Sequence, residues 1–275
     1  MSMPTSDLVI FGLTGALTGM VGALLGLGGG VFLVPLLALG FHLEPRVAVA
    51  ASLVAVVASS SATTMLNMKS GLVNVPLAFT LLLATSIGAH GGGAIAQHIS
   101  TRTLYLIFAT TLFVVAAVVT SRSRTRNVFD DPGLDVGRLG GRVVEDGKTL
   151  SYMMKRLPLA MGVSLVAGAI SGLLGVGGGV IQVPVLNSFC GIPIRVAAAT
   201  SAFMIGPTAA ISAFLYLGRG DMDPLITAAI ALGSLPGSAL GSWLSRTMHV
   251  RSIKGVLATS LILVALRLSV AAFWM

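Results

Sequence analysis

The chain has very little charge, very little sulfur chemistry and few aromatic rings. Charged residues are 9% of its 275 positions, aromatic ones 6%, and there is one cysteine, Cys190. Ordinary globular domains carry about 25% charge, so the surface that keeps such a domain in water is missing. One cysteine excludes an internal disulfide and any cysteine-rich metal site. No carboxylate pair stands inside an apolar stretch, no HExxH occurs, and no serine elbow has a histidine to match, so hydrolytic enzymes lack a nucleophile and a base. We expect no enzyme activity, no cofactor and no metal.

What is present is hydrophobic length. Apolar residues make up 55% of the chain and its mean hydropathy is +0.96. Long apolar stretches run over 8–25, 47–66, 75–95, 104–119, 157–174, 194–217, 225–244 and 253–275, near the roughly 20 residues a membrane-spanning helix needs. The expectation is an all-α integral membrane protein, multi-pass in the cell (cytoplasmic or inner) membrane, with the lipid bilayer as its solvent. The first stretch is expected to be retained, since no basic residue precedes it and an internal stretch matches it. The net charge of +8 sits in loops beside apolar spans, where headgroups and topology account for it, so no nucleic-acid partner is expected.

The chain also repeats. Gly26-Leu27-Gly28-Gly29-Gly30-Val31-Phe32-Leu33-Val34-Pro35 returns 149 residues later as Gly175-Val176-Gly177-Gly178-Gly179-Val180-Ile181-Gln182-Val183-Pro184. At the same offset Gly19 falls on Gly168, Arg46 on Arg195, Ser52 on Ser201, Gly88 on Gly237 and Arg102 on Arg251. The organisation expected is a first transmembrane repeat over 1–120, a cytoplasmic linker loop over 121–156 and a second repeat over 157–275. Each repeat holds about five hydrophobic segments. The second of these, 31–39 or 180–189, is short for a span and suits a half-helix that returns to the side it came from.

Loop charge orients the repeats, because short cytoplasmic loops are enriched in Lys and Arg. An odd number of crossings per repeat puts thirteen Lys and Arg inside and three outside, with Arg267 within the last helix; an even number gives ten against six. The odd count makes the repeats inverted, with the linker inside and both termini outside. It leaves open five full spans per repeat or three spans plus a broken hairpin. The linker, with Asp130-Asp131-Pro132-Gly133 and Gly140-Gly141 as turn signals, reads as a solvated tether or as a regulatory surface.

The glycine breaks are the candidate site. Irregular backbone at membrane depth persists only where protein buries it or where it lines an aqueous cavity, and glycine allows close approach. Pro35 and Pro184 cannot donate a hydrogen bond, which frees the carbonyls of Val31 and Val180 if the segment is helical. Where Gly29, Gly30 and Val31, and Gly178, Gly179 and Val180, open helices behind Gly28 and Gly177, their N–H groups form an anion cradle without a buried Lys or Arg. Paired glycine-broken segments in a duplicated apolar chain point to a transporter. The rival role for these glycines is tight helix crossing. Ser52 and Ser201 are equivalent and stand beside Ala51 and Thr200. Gln182 and Asn187 have apolar counterparts in Leu33 and Ala38, which suits asymmetric substrate contacts. His90, before Gly91-Gly92-Gly93, is a candidate proton relay. Arg46 and Arg195 begin equivalent helices after a turn and read as headgroup anchors, with guidance of anions as the alternative.

Leu24-Leu25-Gly26-Leu27-Gly28-Gly29-Gly30 with Val34-Pro35, and Gly172-Leu173-Leu174-Gly175-Val176-Gly177-Gly178-Gly179 with Val183-Pro184, resemble the double motif of the sulfite exporter TauE/SafE family of membrane permeases. Ala23 stands where the second half has Gly172. The resemblance covers essentially the whole chain and implies a secondary transporter of small anions, sulfur-containing ones such as sulfite, sulfonates or sulfoacetate, worked by alternating access with the two halves rocking about the breaks. A channel or carrier for another small solute, and a non-transporting membrane scaffold subunit, are the alternatives. Coupling ion, direction and oligomeric state do not follow from the residues.

Overall fold

The structure, a computed structural model, describes residues 5–121, 137–145, 148–247 and 250–274. Arg122, Arg124, Arg126 and the Asp130 to Gly133 turn signals lie outside the described residues. In the first repeat α1 is Thr5–Leu25, α2 is Gly30–Pro35 with a π-helical turn over Leu36–Gly40, α3 is Pro45–Lys69, α4 is Val75–Ala96 and α5 is Thr101–Ser121. The second repeat gives α6 Leu157–Leu174, α7 Gly179–Ser188, α8 Ile194–Gly218, α9 Pro224–Thr247 and α10 Val250–Trp274. Among the described residues, seven helices are long and apolar enough to cross a membrane.

Large apolar side chains face outward in rows four residues apart, Val9, Leu13 and Leu17 on α1 and Phe79, Leu83 and Ile87 on α4. Rows at that spacing lie on one helix face, and in a bilayer that face meets lipid tails. Inside, the helices are held by close approach. Without a water-driven hydrophobic force between helices in lipid, small residues let backbones touch and dispersion contacts do the rest. The Gly12, Ala16 and Met20 carbonyls lie where the Cβ of Gly233, Gly237 and Gly241 would stand, so α1 and α9 run parallel in contact. The Thr85 and Ala89 carbonyls meet Gly168 and Gly172 in the same way, joining α4 to α6.

The packing follows the internal repeat. α1 packs on α9 as α6 does on α4, α3 on α9 as α8 does on α4, while α3 meets α8 and α5 meets α10. α3 and α8 are equivalent, yet they run in opposite directions. Asn74, just past the end of α3, donates its backbone N–H to Thr200 Oγ1 near the start of α8 at 3.0 Å, and Arg46 at the start of α3 is in electrostatic reach of Tyr216 near the end of α8.

Packing cuts across the two sequence repeats, because each half lends one helix to the other through a glycine seam. One unit is α1, α2, α3 and α9; its counterpart is α6, α7, α8 and α4. Of the two arrangements left open, the structure takes the broken hairpin. Gly29 lies back against Thr18 and Gly19 of α1, and the Phe41 ring packs on Phe11 at 5.0 Å between centroids, so α2 retraces α1 toward its own start.

The linker contains a β-hairpin, β1 Gly141–Glu145 and β2 Lys148–Tyr152, which holds the only strands among the described residues. It is docked, not tethered. Val143 and Tyr152 are buried with Leu77, Leu81, Ile192 and Val196, and Asn74 Nδ2 donates to the Leu139 carbonyl at 3.0 Å and to the Tyr152 hydroxyl at 3.2 Å. The chain then runs past Cys190, whose carbonyl accepts from the Lys155 N–H at 2.8 Å. Burial pushes the Cys190 thiol up to about 11, opposed by nearby Arg156. Only the thiolate reacts, so at pH 7 a soluble maleimide should leave the folded protein unlabelled over hours and modify it within minutes once it is unfolded, a difference intact-mass spectrometry reads directly.

Candidate functional site

Both breaks are built alike. α1 ends at Leu25, and Gly29 at φ 84° forms the N-cap of α2; α6 ends at Leu174, and Gly178 at φ 74° forms the N-cap of α7. A residue with a side chain adopts that left-handed backbone at a cost of about 1–2 kcal/mol. No side chain caps either helix start. The helices then diverge. α7 carries Pro184 inside ten continuous residues, whereas α2 stops at Pro35 and continues as the π turn, a form found mostly as single turns near functional sites.

The two breaks meet. A Cβ on Gly28 would touch Val56 and Ile205 at 3.2 and 3.1 Å, and one on Gly177 would touch the same two side chains. Val56 and Ile205 stand at the middles of α3 and α8, so both breaks occupy the centre of the α3–α8 seam. A Cβ on Gly30 would run into the Gly175 carbonyl oxygen, and one on Gly179 would sit 2.7 Å from the Gly26 carbonyl oxygen. Each half-helix therefore starts beside the carbonyl end of the other repeat's long helix, positive dipole end to negative. Every residue from Leu25 to Val31 and from Leu174 to Val180 is buried.

The polar candidates divide. Ser52 Oγ donates across the repeats to the Gly175 carbonyl at 2.8 Å. Ser201, its counterpart, donates to Gln182 Oε1 at 3.2 Å and lies beside Gly179. These three join the breaks, and so do the buried Val31 and Val180 in the first turns of α2 and α7 and the buried Pro35 and Pro184 one turn on. Asn187 instead donates to the Ile192 carbonyl at 2.8 Å, closing the α7–α8 turn, and Thr200 accepts from Asn74. His90 is exposed on the face of α4 that carries Leu83 and Ile87, away from the breaks. Among the described residues no group of three His, Cys, Asp or Glu is placed to hold a metal.

Sequence reasoning missed several contributors. Ser59 Oγ donates to the Gly28 carbonyl at 2.9 Å, and Val56 and Ile205 pack against both breaks. A cavity of about 40 Å³ opens from the first break between Gly26, Asn67, Arg195, Ala199 and Ser245. Arg195 lines it, while its counterpart Arg46 is exposed and donates to the Gln97 carbonyl at 3.2 Å.

Comparison with known proteins shows the family of the chain. The family model described as Sulfite exporter TauE/SafE matches residues 11–268. "Probable membrane transporter protein YunE" of Bacillus subtilis (strain 168) is 24% identical over 94% of this chain and 96% of its own length. A "Probable membrane transporter protein" of Xylella fastidiosa (strain 9a5c) is 26% identical over 88% of this chain and 87% of its own. "Sulfite exporter TauE/SafE family protein 6" of Arabidopsis thaliana is 40% identical over 28% of this chain and 17% of its own. No solved structure gives a significant match. With the family model spanning nearly all of its length, the chain belongs to the sulfite exporter TauE/SafE family and is a multi-pass membrane transporter.

Proposed function

We propose that this transporter is a secondary carrier of small anions, sulfur-containing ones such as sulfite, sulfonates or sulfoacetate, in the cytoplasmic membrane, with the substrate held at the two glycine breaks. The observation that carries this is the contact of the breaks at the middle of the α3–α8 seam, where Gly28 and Gly177 share Val56 and Ile205 as neighbours. An anion there meets the uncapped starts of α2 and α7, and no carboxylate among the described residues of the breaks repels it. Helix N-termini of this kind bind anions without a buried cation.

The moving bodies are the two packed units, sliding or rocking along the α3–α8 seam, since the glycine seams of α1 with α9 and α4 with α6 tie helices of different halves together. The linker faces the cytoplasm and both termini face out, as loop charge requires. His90, on the outer face of α4, serves a coupling proton only through a neighbour outside this chain or through the headgroup region.

The test is flux of radiolabelled sulfite and sulfoacetate into proteoliposomes. Wild-type protein should show saturable flux that an opposing gradient accelerates, and Gly29→Val or Gly178→Val should bring it to background. Flux that neither saturates nor exchanges assigns a channel. Absence of flux for every anion tested, with folded protein in the bilayer, removes the carrier reading in favour of a scaffold. Unchanged flux in both valine variants removes the breaks as the site.

A further inference from the structure

The repeats differ in kind at Asn67 and Tyr216. Asn67 and Tyr216 are equivalent at the offset of 149, and each stands at the end of its seam helix. At one end of the seam, Asn67 leaves the cavity open between Leu25 and Gly26 of the first unit and Arg195 and Ala199 of the second, with Ser245 on its rim. At the other end, the Tyr216 side chain is buried at 2% exposure and its hydroxyl donates to the Gly172 and Leu173 carbonyls at 3.3 and 3.4 Å. Gly172 and Leu173 are the counterparts of Ala23 and Leu24, both of which line the open cavity. The tyrosine thus occupies the space that stands open at the opposite end.

Chemistry selects the occupant. The Arg195 guanidinium offers a planar fork of donors that matches an oxyanion. It sits in the first turn of α8, a 25-residue helix, where the dipole adds positive potential. Among the described residues, none that lines the cavity is acidic. Its volume of about 40 Å³ has room for about three water-sized groups at roughly 10–15 Å³ each, the scale of a small oxyanion.

We propose that the cavity around Arg195 and Asn67 is an anion-binding vestibule at one mouth of the α3–α8 seam, and that Tyr216 stoppers the other mouth. This rests on the reading of the cargo as an anion. The vestibule touches Gly26, so an anion held by Arg195 is one step along the chain from the first break. Because the cavity walls come from both packed units, movement along the seam that opens the Tyr216 end closes this one, and occupancy couples to the state of the carrier.

Isothermal titration of sulfite into purified protein in detergent tests it. Arg195→Gln should weaken binding at least about tenfold, the scale of a lost hydrogen bond to a charged group. Ala199→Leu, which fills the cavity without altering charge, should weaken it similarly, and it keeps the test decisive if the arginine variant fails to fold. Arg102→Gln removes an equal charge from an exposed position at the start of α5 and should leave affinity within about twofold, the spread that general electrostatics explains. Wild-type binding that either folded vestibule variant retains overturns the vestibule alone. Failure of wild-type protein to bind sulfite or sulfoacetate, with flux also absent, overturns the anion reading and the vestibule with it.

Discussion

Alanine at Gly30 is expected to bring transport to background and to lower the thermal stability of the detergent-solubilised protein more than removal of any single hydroxyl at the breaks. The added methyl would run into the Gly175 carbonyl oxygen and come within 2.9 Å of Ser52 Oγ and Val176 Cα. Side chains rotate away from a clash, but two of these three neighbours are backbone of the other repeat, pinned by the ends of α6 and α7. Relief therefore requires the breaks to separate. Overpacking of this kind costs about 1–3 kcal/mol or more, and with immovable neighbours the upper end applies. Gly179→Ala should do the same from the other side, since its methyl would meet the Gly26 carbonyl oxygen at 2.7 Å and Ile205 Cδ1 at 2.5 Å. Ser52→Ala is the milder comparison: it loses the 2.8 Å bond to the Gly175 carbonyl and leaves that buried oxygen short of a donor, about 1–3 kcal/mol. Melting temperatures and sulfite flux measured side by side should order the three variants in this way. A Gly30→Ala protein as stable and active as wild type would mean that the breaks do not touch.

The breaks were legible because they are spelled twice. One GGG is ambiguous between a site and a close crossing, but a duplicated GxGGG with a following Val-Pro fixes where the backbone turns. The return of α2 along α1 was not legible from charge, since five spans and three spans plus a hairpin leave every basic residue on the same side. Contact between Gly29 and Thr18 decides it. The pairing of α1 with α9 was also hidden. Gly15 and Gly19, or Gly88 and Gly92, announce that something comes close, and small residues carry no information about which helix does. The rejection of Asn187 and Thr200 from the breaks follows from local geometry. Asn187 reaches a carbonyl five residues on, a turn-closing bond, and Thr200 points at the loop before α4. His90 was readable in retrospect, for Phe79, Leu83, Ile87 and His90 fall on one face at helical spacing, and three of the four are large and apolar. Asn67 opposite Tyr216 was likewise visible at the repeat offset, yet the meaning of the exchange needed the cavity.

The second large effect is expected inside a single triplet, Gly91-Gly92-Gly93. Gly92→Ala should destabilise the protein by about 3 kcal/mol or more, because the methyl would land on the Ala169 carbonyl oxygen and within 2.7 Å of Ala169 Cα across the α4–α6 seam. Gly91→Ala, one residue earlier, meets nothing within 4 Å. It should be neutral or stabilising by up to about 1 kcal/mol, the helix-propensity difference between the two residues. The internal repeat sharpens the test. Gly241 is the counterpart of Gly92, and its methyl would strike the Met20 carbonyl oxygen on α1 and lie within 2.9 Å of Met20 Cα. Gly241→Ala should therefore match Gly92→Ala in lost stability, although the two residues lie on different helices and in different halves. Thermal unfolding of the three variants at one detergent concentration gives the comparison. Equal behaviour of Gly91→Ala and Gly92→Ala would show that α4 does not lie against α6 in this register. With that register gone, the two packed units proposed to move along the α3–α8 seam would no longer be defined, and a mechanism based on sliding them would have no rigid bodies to slide.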